Sequence, residues 1–344
     1  MSVHRAIRKL KLGSEVLTPR KLFNLFIKQI QVSLGHSRLL YYPNRLTVDI
    51  GNICNLRCPL CPTGRGDKGA AKGFMRFQEF KSIIDEMGRY LTHLELHNWG
   101  EPLLNKELVD MVRYAKGKGI PTVISTNLNI LDKETAEALI SAGIDKILIS
   151  CDGTSQETYS RYRVGGDFNK VMSHLQLLLD AKKKLKNDYT SLRLLFHVFK
   201  HNEHEIEKVK DLAKNLNVDL LIDPMRTDMG KEIFEKVDDA IERDKAWIPE
   251  NPEHSFYNLE VKDKKRHVTC NQLWKMAMIN WDGSVLPCCH IYGEQYAFGN
   301  VFKQKFLSIW NNEKYLLSRK EILGKIERSP TICHTCKKNG FQVF

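Results

Sequence analysis

Between residues 45 and 226 short β-branched runs alternate with longer stretches of helical periodicity, and this alternation limits the fold more than any other feature. The runs are "RLTVDIG" (45–51), "HLELHNW" (93–99), "PTVISTN" (121–127), "KILISCD" (146–152), "LRLLFHVF" (192–199) and "VDLLID" (218–223). Apolar residues at helical spacing fill the intervals at about 77–88, 105–118, 133–142, 168–185 and 203–216. Strands separated by helices predict a parallel sheet. Six units are too few to close an eightfold barrel. The expected class is therefore α/β, an open partial (β/α)6 barrel whose site lies in the loops beyond the strand carboxyl ends. Residues 1–44 read as a basic helical extension, 45–226 as the barrel core, and the charged, weakly periodic 227–265 as a connector. A small second domain is expected over 266–344, where Cys270, Cys288, Cys289, Cys333 and Cys336 make five of the nine cysteines. A segment of that size commonly needs a metal or another staple.

The longest apolar runs, such as residues 192–199, are far too short for a membrane span, and no secretory signal pattern opens the chain. A cytosolic location is expected. In that reducing compartment clustered thiols are metal ligands or redox centres rather than disulfides. "CNLRCPLC" (54–61) sets Cys54, Cys58 and Cys61 in a C-x3-C-x2-C loop directly after the first strand. Structural zinc wants four ligands, and no nearby His or Cys supplies the fourth, since His93 and His97 belong to the next strand. A [4Fe–4S] cluster tolerates three protein thiolates if a ligand from solution takes the fourth iron.

This loop resembles the signature of the radical S-adenosylmethionine (SAM) superfamily, and three further stretches resemble that family in order and position. "HNWGEPLL" (97–104) is similar to its G-G-E-P segment, with Trp99 in place of the first glycine and Gly100, Glu101 and Pro102 kept. "STNLNIL" (125–131) resembles the strand end beside the ribose, and "SCDGTSQETYSRYRVGG" (150–166) the S-x-D-G…Y-x-x-Y-R-x-G-G stretch of the branch with extra clusters. The resemblance implies a cluster on the three cysteines, with SAM chelating the open iron and cleaved by one electron to a 5′-deoxyadenosyl radical. It implies cofactor contacts from Gly100, Glu101, Ser125, Asn127, Ser150 and Arg163. Glu101 or nearby carbonyls would take the ammonium of SAM, and Arg163 its carboxylate. Asp152 and Arg163 are the catalytic candidates. Read singly, Asp152-Gly153 is also a turn, Glu101-Pro102 a helix start and residues 154–157 a helix cap. In "FKHNEHEI" (199–206), His201, His204 and Glu205 read as a solvated cap with structural hydrogen bonds, and Cys151 as a small buried hydrophobe.

The C-terminal cysteines carry a second resemblance. Cys270, the turn Trp281 to Gly283, the P-C-C element, Gly299-Asn300-Val301, Ile309-Trp310-Asn311 and the closing C-x2-C are similar to the extension called SPASM in its full form and Twitch in its short form. Full SPASM domains hold two auxiliary clusters; four ligands suffice for one. The resemblance assigns Cys270, Cys288, Cys333 and Cys336 to one auxiliary [4Fe–4S] cluster and leaves Cys289 spare. Spacing alone also admits a four-cysteine zinc knuckle.

A saturated second cluster has an evident use, to take one electron from a substrate radical and so complete a two-electron oxidation. Resemblance to Twitch enzymes, with cysteine intervals of 18, 45 and 3, implies oxidation of a secondary alcohol to a ketone. Epimerisation is the close variant, with Cys151, Cys289 or another thiol returning a hydrogen atom. SPASM relatives also mature ribosomally made peptides, commonly with a strand-containing recognition domain that the first 46 residues lack. A sugar, cyclitol or lipid-linked glycan substrate is the preferred reading. For proton transfer Asp152, Arg163, His197, Asp223 and Arg226 lie at strand ends, each with a salt-bridge alternative.

The net charge of +12 is concentrated at the N-terminus, where residues 1–46 hold nine Lys or Arg against one acid, Glu15. "KLFNLFIKQI" places Leu22, Phe26 and Ile30 at helical spacing. A basic amphipathic helix can lie on an anionic membrane. The preferred reading is plainer, a helix packed over the open end of the catalytic domain with its lysines solvated. A basic face would also suit an acidic flavodoxin or ferredoxin as electron donor. The competing class, a zinc-stabilised binder of nucleic acid, has no need of a three-cysteine loop at a strand end.

Overall fold

The computed structural model describes residues 17–225, 235–255 and 270–339. Helix α1 (Pro19–Ser33) comes first. Six parallel strands then form where the alternation predicts them: β1 (Arg45–Val48), β2 (His93–Glu95), β3 (Thr122–Thr126), β4 (Lys146–Ser150), β5 (Ser191–Val198) and β6 (Asp219–Pro224). Between them run α2 (Phe77–Met87), α3 (Leu108–Gly117), α4 (Lys133–Ala142), α5 (Gln156–Tyr162), α6 (Phe168–Lys184) and α7 (Ile206–Asn215). Buried strand residues such as Ile124, Ile147, Ile149, Leu194 and Phe196 share one core with Met111, Leu139, Leu175 and Leu178 of the helices. Helices α4 and α6 start on side-chain caps: Asp132 accepts from the Thr135 N–H, and Asp167 from those of Asn169 and Lys170. Caps of this kind stabilise a helix by about 1 kcal/mol each.

The sheet does not stop at β1. After α8 (Val237–Asp244) come β7 (Met276–Ile279), β8 (Ser284–Leu286) and β9 (Gly299–Asn300), then α9 (Phe306–Trp310), α10 (Glu313–Ile322) and α11 (Ile332–Lys338). Strand β7 runs parallel to β1, with Leu46 opposite Ala277 and Thr47 opposite Met278. Strands β8 and β9 add antiparallel, giving one nine-stranded mixed sheet in the order β6-β5-β4-β3-β2-β1-β7-β8-β9. The C-terminal segment thus covers the barrel edge at β1, whose peptide groups would otherwise lie open. Arg319 fastens it: the fully buried guanidinium donates to the carbonyls of Leu273, Ser37 and Trp310 and lies over the Trp310 ring.

The N-terminal helix reverses the preferred reading. Lys21 is buried and donates to the Gly119 carbonyl (2.9 Å), and Lys28 reaches Asn44 Oδ1 (2.5 Å). Burial, then the nearby Lys275 and Arg45, lower Lys28 to about 8. These lysines are not solvated; Leu22, Phe23, Phe26 and Ile30 are instead exposed. Nor does α1 cover the open end of the barrel, since Gly119 and Asn44 precede β3 and β1 and mark the amino ends of the strands.

Candidate active site

All six parallel strands deliver side chains to one cleft at their carboxyl ends. Cys54, Cys58 and Cys61 follow β1; Trp99, Gly100 and Glu101 follow β2; Ser125 and Asn127 come from the end of β3, Ser150 from β4, His197 from β5 and Asp223 from β6. The cleft encloses about 1130 Å³ with its open mouth included. One wall is apolar, built of Leu60, Tyr162, Leu195, Phe199 and Met225. Tyr162 lies tilted against Phe199 with ring centroids 4.2 Å apart, and Trp247, just beyond α8, closes edge-on against both.

The three-cysteine loop is a tight turn. The Cys61 N–H donates to the Cys58 carbonyl at 3.1 Å, and Cys61 opens a single helical turn, Pro62–Arg65. Gly64 packs so closely that an added Cβ would lie 2.5 Å from the Cys58 backbone. Donors face the thiols: the Leu56 N–H lies 3.4 Å and Asn127 Nδ2 3.6 Å from Cys54 Sγ, and Arg163 Nη1 3.8 Å from Cys58 Sγ. Burial pushes the Cys58 thiol up to about 11, opposed by Arg163, so loading iron there must release a proton. Three thiols lining one cleft, with donors near two of the sulfurs, fit a [4Fe–4S] cluster held by three protein thiolates.

Glu101 is buried and fully oriented. One oxygen accepts from Thr126 Oγ1 (2.7 Å) and the Leu103 N–H (3.1 Å), the other from the Asn127 N–H (2.7 Å). Burial raises its pKa against these bonds. Gly100 is obligatory, because a Cβ would lie 1.8 Å from the Gly51 carbonyl oxygen. Trp99, the departure from the family pattern, leaves that approach intact. Its side chain points the other way, edge-on to Tyr292 at 5.4 Å with its indole N–H to the Ile291 carbonyl at 3.3 Å, and so binds barrel to C-terminal segment. Asp49 accepts from the Trp99 N–H at 3.3 Å, and burial pushes it up to about 7.

Asp152 lies beneath the cleft rather than in its lining. It is fully buried and accepts from Arg163 Nε at 2.5 Å, while its other oxygen accepts from the His197 N–H at 2.8 Å and faces His197 Nδ1 at 3.3 Å. Burial alone would raise Asp152; Arg163, then His197, outweigh it and hold the carboxyl at about 2. Asp152 therefore orients the two side chains that do reach the cleft, Arg163 and His197. Arg226 falls outside the described residues. The "FKHNEHEI" side chains are not all a solvated cap: His201 is buried, stacked on Phe199 at 5.5 Å, and buried Glu205 accepts from the Thr154 N–H. Cys151 is buried, bonded to the Gly153 carbonyl and raised to about 12 by burial.

Sequence reasoning overlooked Asp49, Tyr162, Phe199, Met225 and Trp247. The sequence signals were there for most of them: the acid within the run 46–50, the second tyrosine of the Y-x-x-Y-R stretch, the first residue of "FKHNEHEI" and the aromatic in "AWIPEN".

The second cysteine set gathers around Cys288. Burial raises its thiol well above the ordinary range, and Cys289, Cys336, Cys270 and Cys333 all lie close enough to raise it further. The Cys289 carbonyl accepts from Asn98 Nδ2 at 3.2 Å, linking this set to the residues beside Trp99.

A partial parallel barrel with thiols at its strand ends and a second cysteine set on a C-terminal extension defines an iron–sulfur enzyme. The profile of the Radical SAM superfamily matches residues 48–213, and that of the SPASM family, an iron-sulfur cluster-binding domain, residues 270–337. The chain belongs to the radical SAM superfamily and ends in a SPASM domain. It accordingly works with a SAM-bound [4Fe–4S] cluster and auxiliary iron–sulfur. It is similar to an AdoMet-dependent heme synthase of Methanosarcina barkeri, 24% identical over 337 residues that cover 87% of this chain and 92% of the relative. Its fold is similar to that of BtrN in complex with AdoMet and 2-DOIA, with a TM-score of 0.51 at 18% identity over 83% of this chain and 91% of the other. Streptococcus suis SuiB bound to precursor peptide SuiA gives a TM-score of 0.59 at 14% identity, covering 83% of this chain and 68% of SuiB.

Proposed function

We propose that this enzyme oxidises a secondary alcohol of a sugar, cyclitol or glycan to a ketone. Cys54, Cys58 and Cys61 would hold the SAM-binding cluster, and Cys270, Cys288, Cys333 and Cys336 the auxiliary one. When bound, these groups supply hydrogen-atom abstraction and one-electron acceptance, the two redox parts of an alcohol oxidation. The chain supplies the rest. Glu101, fixed by three donors, presents a carboxylate to the ammonium of SAM, and Gly100 lets that turn lie against β1. Asn127, Ser125 and Ser150 offer hydrogen bonds along the strand ends, and Arg163, held at Nε by Asp152, turns its guanidinium to the cleft, where it can meet a carboxylate.

The remaining requirement is a base for the hydroxyl proton, and His197 is suited to it. Its imidazole lines the cleft while Nδ1 faces buried, ionised Asp152, which fixes the ring. Asp152 acts here as a positioning residue. This Asp–His pair, whose imidazole lines the same cleft as the three-cysteine loop, is the observation that carries the reading. An acidic flavodoxin or ferredoxin is the expected electron donor.

The test is turnover of the reduced, iron-loaded enzyme with SAM and a panel of cyclitols and sugars deuterated at each carbinol carbon. Deuterium in 5′-deoxyadenosine together with a trappable ketone supports the proposal. Deuterium transfer from a precursor peptide instead would replace it with peptide maturation.

A further inference from the structure

Eight of the thirteen exposed large apolar side chains among the described residues lie between Leu17 and Leu40. On α1, Leu22, Phe23, Phe26 and Ile30 make one stripe, extended past the helix end by Leu34; Phe23 is 65% exposed and Phe26 60%. A helix on a globular protein ordinarily turns such a stripe inward. Here the inward face is polar. Lys21 is bonded to the Gly119 carbonyl; Asn24 donates to the Tyr42 carbonyl and accepts its N–H; Gln31 accepts from the Leu40 N–H at 2.7 Å. The loop that follows is equally fixed, with Asn311 exchanging two hydrogen bonds with the Leu39 backbone and Trp274 Nε1 donating to the His36 carbonyl. Polar anchors inside and a rigid apolar stripe outside mark a surface built to meet something apolar beyond the fold.

Charge identifies what that is. With inward-turned Lys21 and Lys28 set aside, the segment still holds seven cations against one acid; Arg20 and Arg38 are exposed on it, and Lys325 reaches across to the Gly35 carbonyl. A second copy pressed against this face would bring those cations onto its own. A bilayer with anionic headgroups complements them while taking the phenylalanines into its interface. No helix among the described residues is long and apolar enough to cross a membrane, so the contact is peripheral.

We propose that α1 and the loop to Leu40 dock this protein, apolar stripe downward, on the surface of an anionic lipid membrane. The stripe lies at the amino ends of the strands, opposite the cleft. The bound enzyme therefore keeps its cleft open to the aqueous side, and docking is independent of the reaction catalysed.

The test is co-sedimentation of the full, iron-loaded chain with phosphatidylcholine vesicles and with vesicles that also contain phosphatidylserine. The chain binds the mixed vesicles, weakly the neutral ones, and high salt loosens it. Phe23→Glu/Phe26→Glu lowers binding at least about tenfold. Leu40→Glu, at a site 76% exposed, lowers it at the other end of the patch. Unchanged iron content and thermal transition show that both variants fold. Failure to bind mixed vesicles at low salt overturns the proposal, as does binding that ignores both variants. A dimer dispersed by the Phe substitutions, without vesicle binding, would assign the face to a second copy instead.

Discussion

Removing the Arg163 guanidinium should expose how much the buried Asp152 carboxylate depends on it. Asp152 is held at about 2, against 3.8 in its ordinary state, although it is completely buried. That depression alone is worth about 2 kcal/mol at neutral pH. Arg163→Met also strands a buried charge, so the expected total loss is about 4 kcal/mol. In a chain of this size that lowers the melting temperature by roughly 5–6 °C. The sign with pH follows. In the parent, the contribution of Asp152 is fully present above 3.8 and is lost as pH falls through about 2. In the variant, burial is no longer outweighed and the carboxyl rises, so the deficit is largest at neutral pH and shrinks towards pH 4. Asp152→Asn in the same chain removes the stranded charge and should recover about half of the loss. The assay is thermal unfolding of the iron-loaded protein by circular dichroism across that pH range. A single variant within about 2 °C of the parent, or a double variant no better than the single, would refute the reasoning.

Three further outcomes follow from the same geometry. Trp99→Ala should cost about 3–5 kcal/mol through the lost ring contacts, whereas Trp99→Phe loses chiefly the bond to Ile291, about 1 kcal/mol; thermal unfolding with limited proteolysis of the C-terminal segment reads both. His197→Gln should slow ketone formation by about a hundredfold or more while SAM is still cleaved. Equal loss of both activities would remove His197 from proton transfer. Cys333→Ala/Cys336→Ala should lower iron by about four per chain and uncouple SAM cleavage from product, measured by iron assay and 5′-deoxyadenosine release.

The barrel was legible because each parallel strand is a short apolar run and each helix a long periodic one; α4, for instance, occupies the expected residues 133–142. Strands β7 to β9 lie outside that alternation, and their place in the sheet depends on β7 pairing with β1, far away in sequence. The orientation of α1 was also hidden. Apolar residues at helical spacing look the same whichever way the helix faces, and only the partners of Lys21, Asn24 and Gln31 on the fold show that the polar face turns inward. Cysteine spacing drew attention to both thiol sets, but not to the contact of Asp152 with His197, 45 residues on. Trp99, read as an irregularity in a glycine motif, turns out to be the joint between barrel and extension.

The central claim is that two separate cysteine sets hold two clusters and that only the loop after β1 meets SAM. Iron and sulfide analysis of the anaerobically purified protein, with paramagnetic resonance spectra after dithionite with and without SAM, tests it most directly. The account predicts about eight irons per chain and one signal altered by SAM. In Cys54→Ala/Cys58→Ala/Cys61→Ala about four irons should remain, with no response to SAM. Zinc in place of iron, or a SAM-responsive signal that survives loss of the three loop cysteines, would contradict it.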